Sequence, residues 1–92
     1  MNQVRIRKQA RKELEDILKY TKDNWGEQQV SIFINQFDDL LFYLSFSPHL
    51  GRKTKLLNTY TIPFSKLPFV ILYEVKDDFV IVNKVIHTKC HR

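Results

Sequence analysis

The sequence predicts an α+β fold in which a helical hairpin packs on a small, mainly antiparallel sheet. Two long segments without proline, residues 9–24 and 27–46, repeat their apolar residues at helical spacing. After Gly51 the chain turns to β-branched and aromatic runs. A short alternating segment precedes both helices, so the predicted order is β-α-α-β-β-β.

The spacing of apolar residues predicts a first strand followed by a first helix. Residues 3–7 place Val4 and Ile6 on one face of an extended segment. From residue 9 to residue 24 the apolar residues recur at helical spacing instead; they are Ala10, Leu14, Ile17 and Leu18. Gly26 then permits a tight turn or a left-handed helix end.

The second helix, from about Glu27 to Phe46, has the most regular pattern in the chain. Its apolar residues keep steps of three and four; they are Val30, Phe33, Ile34, Phe37, Leu40, Leu41 and Leu44. Pro48 and Gly51 end this helix, because proline disfavours helical conformation in the residue before it and glycine permits a turn. Two helices with so short a connection predict an antiparallel hairpin.

Three strands are predicted after the helices. A weaker run covers residues 55–62, and two stronger runs cover residues 69–75 and 79–87. The polar turn at residues 76–78 joins the stronger runs into a hairpin. Since both runs are apolar at odd and even positions, we expect them at the centre of the sheet and partly covered on both faces.

The composition is that of one small globular domain over residues 1–92, for which we expect no cofactor and no metal. Of the 92 residues, 43% are hydrophobic, and the net charge is +5. No apolar run is long enough to cross a membrane. The single cysteine, Cys90, cannot form an internal disulfide, which suits a cytoplasmic protein. Histidine and cysteine do not occur at the spacing of common zinc sites.

The charge is unevenly distributed along the chain. Residues 27–50 contain three acidic residues and no Lys or Arg, so the positive charge lies before and after them. A basic surface attracts nucleic acid or an acidic protein segment. We predict that Arg52, Lys53 and Lys55 form a compact group that binds nucleic acid or another target; a solvated loop is the alternative.

Two further groups of residues suggest chemistry or docking. If the last strand continues, His87, Lys89 and His91 share one face and Arg92 follows, a set that could bind phosphate and supply a general acid or base for RNA cleavage. A solvated chain end is the alternative. The sheet also holds more aromatic residues than it needs to bury, and we predict a docking surface for a partner that includes Tyr60, Phe69 and Tyr73.

Taken in order, several stretches resemble the RelE/ParE superfamily of toxins from type II toxin–antitoxin systems. ARKELEDILKY resembles the family's first helix, WGEQQV its inter-helix stretch, and SPHLG its "NP-x-x-G" helix end. ILYEV followed by Asp77 and Asp78 resembles the central hairpin. VIHTK is similar to the final "VLH-x-R" strand, with Lys89 in place of arginine. The likeness covers nearly the whole chain.

The resemblance implies a small toxin that a cognate antitoxin binds and neutralises, with Tyr60, Phe69 and Tyr73 in the antitoxin-binding surface. Two mechanisms remain open. ParE-like members inhibit DNA gyrase, whereas RelE-like members cleave ribosome-bound mRNA with cations on the second and third strands and near the C-terminus.

In this sequence the positions of those strand cations fall near Thr61, Pro63 and Val70. We therefore favour the ParE-like mechanism, in which the protein is not a nuclease. If it is a ribosome-dependent nuclease instead, the candidate catalytic residues are His87, Lys89, His91 and Arg92. A nucleic-acid-binding domain without an antitoxin, or a toxin that has lost its activity, is the remaining alternative.

Overall fold

A computed structural model of the chain describes residues 1–88 and confirms the predicted α+β architecture. Two helices pack on a five-stranded mixed sheet. The helices are α1 (Lys8–Trp25) and α2 (Glu27–Phe46), and the strands are β1 (Gln3–Ile6), β2 (Arg52–Lys53), β3 (Thr59–Pro63), β4 (Phe69–Lys76) and β5 (Phe79–His87). No helix within this part of the chain is long and apolar enough to cross a membrane.

The strands lie in the order β1-β5-β4-β3-β2, which puts the predicted hairpin of β4 and β5 inside the sheet. Strand β1 runs parallel to β5, with Gln3 opposite Phe79 and Ile6 opposite Val82. The other pairs are antiparallel. Strand β1 therefore pairs with β5, the described strand that is farthest from it in sequence.

The two helices meet at a single residue, Gly26. Its backbone has φ 90° and ψ 173°, a conformation that is essentially restricted to glycine, and its N–H donates to the carbonyl of Lys22. The chain therefore reverses between α1 and α2 without a longer loop.

The core lies between the helices and one face of the sheet. Alternate residues of β4, namely Phe69, Ile71 and Tyr73, are buried there. Phe33 of α2 lies against Phe69, with 5.1 Å between their ring centroids. The intervening residues of β4 are only half-buried, and among residues 1–88 no helix covers them. The hairpin is therefore central in the sheet, as expected, and the partial burial of its second face, here called the open face, comes from neighbouring strands and not from a helix.

The segment before β3 differs from the prediction. Strand β3 begins at Thr59 because residues 54–58 form a turn: the hydroxyl of Thr54 donates to the carbonyl of Thr59, and Asn58 adopts a positive φ of 56°. The preceding Arg52 and Lys53, predicted as part of a loop, form β2 and pair with β3.

Candidate functional site

An open groove of about 300 Å³ lies between the helical hairpin and the ends of β4 and β5. Its walls are mostly apolar and aromatic; they comprise Tyr20, Trp25, Phe33, Leu67, Pro68 and Phe69, with Thr21, Gln29 and His87 as polar residues. A concave apolar surface with a few polar groups is the usual form of a binding site. Tyr20 and Trp25 expose 62% and 67% of their surface, so they are accessible to a partner.

His87, the last residue of β5, supplies the imidazole in this groove. It is half-buried and lies edge-on to Phe69, with ring centroids 4.9 Å apart. The predicted cluster of His87 with Lys89, His91 and Arg92 is not tested, because the last three residues lie outside the described part of the chain, as does Cys90.

Two residues of the predicted docking surface are part of the hydrophobic core. Phe69 exposes 9% of its surface and contributes to the wall of the groove, whereas the side chain of Tyr73 is fully enclosed. Side chains alternate between the two faces of β4, and both residues are at positions whose side chains point towards the helices. Tyr60 is half-exposed and lies between Tyr73, with a centroid distance of 5.6 Å, and His49, at 5.4 Å.

The hydroxyl of Tyr73 has two partners in the turn after α2. It donates to the carbonyl of Pro48 over 2.8 Å and accepts the N–H of Gly51 over 2.9 Å. Burial raises the pKa of Tyr73 above its usual value, the hydrogen bond from Gly51 acts in the opposite direction, and nearby Tyr60 adds to the increase. This phenol is therefore a structural group and not an acid ready to react near neutral pH.

The three predicted target-binding cations are all exposed, but they do not share one face. Arg52 pairs with Thr61 and Lys53 with Tyr60, so the two side chains leave β2 on opposite sides of the sheet. Lys55 lies in the turn that follows. The cations mark the edge of the sheet, where charged residues also discourage pairing with other chains.

A polar cluster on the open face was not predicted from the sequence. The guanidinium of Arg7 donates to Asn83 Oδ1 over 2.6 Å and to Glu74 Oε1 over 3.3 Å, and the amide of Asn83 donates to the same Glu74 oxygen over 3.1 Å. Asn83 is the extra residue of a bulge, since Leu72 lies opposite Lys84 while the next residue of β4 lies opposite Val82. No sequence signal marked the bulge.

The open face also carries the positions at which a RelE-like nuclease would hold its strand cations. Thr61 and Pro63 alternate with the helix-facing Tyr60 and Ile62, and Pro63 lies opposite Val70. None of Thr61, Pro63 and Val70 is ionisable. Among residues 1–88 there is also no group of three or more His, Cys, Asp or Glu side chains that could hold a metal ion.

Comparisons with known proteins agree with this geometry. A family model described as "ParE toxin of type II toxin-antitoxin system, parDE" matches residues 4–90. Among solved structures, the chromosomal ParDE system of P. aeruginosa has a similar chain, with a TM-score of 0.80 and 15% identity over 95% of this chain and 96% of that one. The intact E. coli RelBE toxin–antitoxin complex also contains a similar chain, with a TM-score of 0.68 and 18% identity over 92% of this chain and 94% of that one. At such identities the structural likeness concerns the fold. No curated protein sequence matches significantly.

Proposed function

The chain belongs to the ParE family of toxins from type II toxin–antitoxin systems, and from this membership we propose that it inhibits DNA gyrase. The partner of such a toxin is a cognate antitoxin. Gyrase works on DNA in the cytoplasm, so the proposal also places this protein there.

The uncharged side chains at the three positions where a RelE-like nuclease would hold its strand cations are the observation that carries the choice of gyrase over mRNA. Cleavage of RNA needs cations that stabilise the developing charge and groups that transfer protons. The positions expected to supply the cations hold Thr61, Pro63 and Val70. The nearby guanidinium of Arg7 is already engaged by Glu74 and Asn83. The positions that a RelE-like nuclease would use therefore offer no cation to a phosphate in its transition state, and the basic residues of this face, such as Arg52 and Lys84, lie at other positions.

For the antitoxin we propose the groove beside Trp25 as a docking site. Family membership supplies the occupant, and the groove supplies exposed aromatic side chains of the kind that anchor peptide segments. The half-exposed Tyr60 remains a candidate for a second contact, at the β3 side of the sheet.

A nuclease is the second candidate, and His87 is the observation that favours it. An imidazole in a concave site can transfer protons near neutral pH. Under this alternative RNA would enter the groove and would not use the open face.

Expression from a tightly repressed promoter tests both candidates. We expect growth arrest with gyrase-dependent DNA breaks and without new mRNA ends, and inhibition of purified gyrase in a supercoiling assay. Codon-positioned mRNA cuts that disappear in His87→Ala would overturn the gyrase proposal in favour of the nuclease. Unimpaired growth, with the folded chain present, would indicate a toxin that has lost its activity.

A further inference from the structure

The open face of the sheet carries apolar side chains that no helix of residues 1–88 covers. Val70 of β4 lies opposite Pro63 of β3 and Ile86 of β5, which makes an apolar row across three strands. Leu72 follows on the same face of β4 with its side chain half-buried, while Ile86 and Pro63 are exposed. We call these four residues the apolar strip. Since the solvent face of an antiparallel sheet is usually polar, the strip indicates a surface that a partner covers.

Positive charge borders the apolar strip on both sides. Leu72 and its neighbour Thr61 lie between Lys84 of β5 and Arg52 of β2, in one register row across four strands. Neighbouring strands are about 4.8 Å apart, so the backbones of the two cations are roughly 14 Å from each other. Arg5 of β1 adds a third cation on the side of Lys84, because β1 pairs with β5. A partner on the strip would therefore lie between cations.

Among the described residues, Glu74 is the acidic side chain of the open face, and a cation already neutralises it. Its Oε1 lies 3.3 Å from the guanidinium of Arg7. Asp77 and Asp78 lie in the turn after Lys76, at the opposite end of β4 from the apolar row. The strip and its flanks therefore present net positive charge. The surface that complements them is apolar in its middle and acidic on both flanks.

Nucleic acid fits this face poorly. Single strands bind by stacking their bases on aromatic side chains. Within residues 1–88 the aromatic residue of the open face is Phe79, and the guanidinium of Arg5 lies over its ring, 4.5 Å from the centroid. A duplex has a surface of charged phosphates, which would desolvate against the apolar strip. The charge of this face therefore favours an acidic protein segment.

An amphipathic helix has the shape and the pattern that the open face requires. It presents one apolar stripe with polar residues on both sides. With its side chains it is about 10 Å wide, which fits the roughly 14 Å between the backbones of Lys84 and Arg52. Strand β4 has eight residues, or roughly 26 Å, so a helix of about 17 residues would span the face.

We propose that the toxin holds gyrase through the open face, and that the segment it binds is an amphipathic helix whose carboxylates meet Lys84 and Arg52. The groove beside Trp25, which we propose for the antitoxin, lies on the helix side of the sheet, so the two partners meet different residues. The inference rests on the proposed function, because it names the contact through which this toxin reaches gyrase.

Inhibition of purified gyrase by the full chain in a supercoiling assay tests the proposal, with Arg52→Glu and Lys53→Glu as the matched pair. Both residues are exposed and adjacent on β2, but their side chains leave the sheet on opposite sides. Arg52→Glu should raise the concentration for half-inhibition by at least about tenfold, because it puts like charges in the contact. Lys53→Glu should change it by less than about twofold, since solvent screens a charge outside the contact. Circular dichroism should show both variants folded, and both should still bind the antitoxin.

A zero-length crosslink identifies the segment of gyrase. A carbodiimide joins an amine to a carboxylate that touches it, so it should couple Lys84 to an Asp or Glu of gyrase in the absence of DNA. Mass spectrometry of the joined peptides should place that acidic residue in a helix with apolar residues at steps of three and four. Lys84→Gln should remove this crosslink.

Several results would overturn the inference while leaving gyrase as the target. Equal effects of Arg52→Glu and Lys53→Glu would move the contact away from the open face, and so would crosslinks that come only from the lysines of α1. Binding that requires DNA would assign the face to nucleic acid. Loss of antitoxin binding in Arg52→Glu alone, with the fold intact, would assign it to the antitoxin. A chain that does not inhibit gyrase at all would overturn the proposed function, and the inference with it.

Discussion

The phenolic oxygen of Tyr73 lies 2.9 Å from the backbone nitrogen of Gly51 and accepts its hydrogen bond. Tyr73 stands in the middle of the sheet, whereas Gly51 ends the turn that leads from α2 to the edge strand. One buried hydroxyl therefore fixes the path of the chain between the helix layer and the sheet, with the carbonyl of Pro48 as its second partner.

We predict that Tyr73→Phe destabilises the protein by about 1–3 kcal/mol, because it leaves the carbonyl of Pro48 and the N–H of Gly51 without their partner. Urea unfolding measures the change. Tyr60→Phe is the matched control, since among residues 1–88 the Tyr60 hydroxyl makes no hydrogen bond, and its effect should stay within about 0.5 kcal/mol. Equal losses in both variants would contradict this role of the Tyr73 hydroxyl.

The raised pKa of Tyr73 predicts a loss of stability in alkaline solution. Its stabilising contribution is complete below the usual tyrosine pKa of 10.0. Above that pH the unfolded chain releases this proton while the folded chain still holds it, so the free energy of unfolding falls until the folded pKa is passed. Unfolding measured from pH 9 upwards should therefore show a shallower decline in Tyr73→Phe than in the unchanged protein. Identical slopes would exclude a role for this phenol.

Substitution of the two glycines by alanine should destabilise the protein for different reasons. A Cβ on Gly51 would lie 2.5 Å from the carbonyl oxygen of Thr61 and 2.8 Å from the hydroxyl of Tyr73, whereas one on Gly26 would meet no atom within 4 Å but would strain a backbone with φ +90°. In a Tyr73→Phe background the cost of Gly51→Ala should fall by about 1 kcal/mol, because one of the two close contacts is gone. The cost of Gly26→Ala should not change. A double-mutant cycle by urea unfolding decides this.

Glu13 of α1 reaches the irregular part of β5. Its Oε1 accepts the N–H of Val85 over 2.9 Å, and the amide of Gln9 donates to its other oxygen over 3.3 Å. Glu13→Ala should cost about 1–3 kcal/mol and speed hydrogen exchange at the Val85 amide. Glu15→Ala, on the exposed side of the same helix, should change stability by less than about 0.5 kcal/mol. An unaltered exchange rate at Val85 would argue against this contact in solution.

Trp25 should matter for antitoxin binding and little for stability. Because 67% of its surface is exposed, Trp25→Ala should leave the unfolding transition nearly unchanged. If the antitoxin fills the groove, the same substitution should weaken the complex by roughly tenfold or more, as aromatic anchors do. Leu57→Ala, 85% exposed and outside the groove, is the matched control for the binding measurement. Unaltered affinity in Trp25→Ala would move the antitoxin to another surface.

The order and type of the main elements could be predicted because each has a clear period. The segment from Glu27 to Phe46 is helical over its full predicted length. Strand β2 could not be predicted, since a two-residue strand such as Arg52–Lys53 exists only through its pairing with β3. The bulge at Asn83 likewise follows from the register between β4 and β5, which the sequence does not encode in a local pattern.

The aromatic residues show where sequence reasoning about a surface fails. The surplus of aromatic residues predicts a docking surface on the sheet, yet Tyr73 is buried, because its side chain faces the helices and its hydroxyl bonds to the backbone of a turn distant in sequence. Exposed aromatic rings lie on the helices instead, for example Trp25 of α1 and Phe42 of α2. Which side of an apolar element meets the core depends on tertiary pairing, so composition alone cannot assign it.

The parallel pairing of β1 with β5 has a consequence for synthesis. Residue 3 leaves the ribosome well before its partner, residue 79. Until then the nascent chain lacks the pairing that completes its sheet, and such distant contacts form slowly. A chain cut short by stalled translation before β5 therefore cannot assemble this fold.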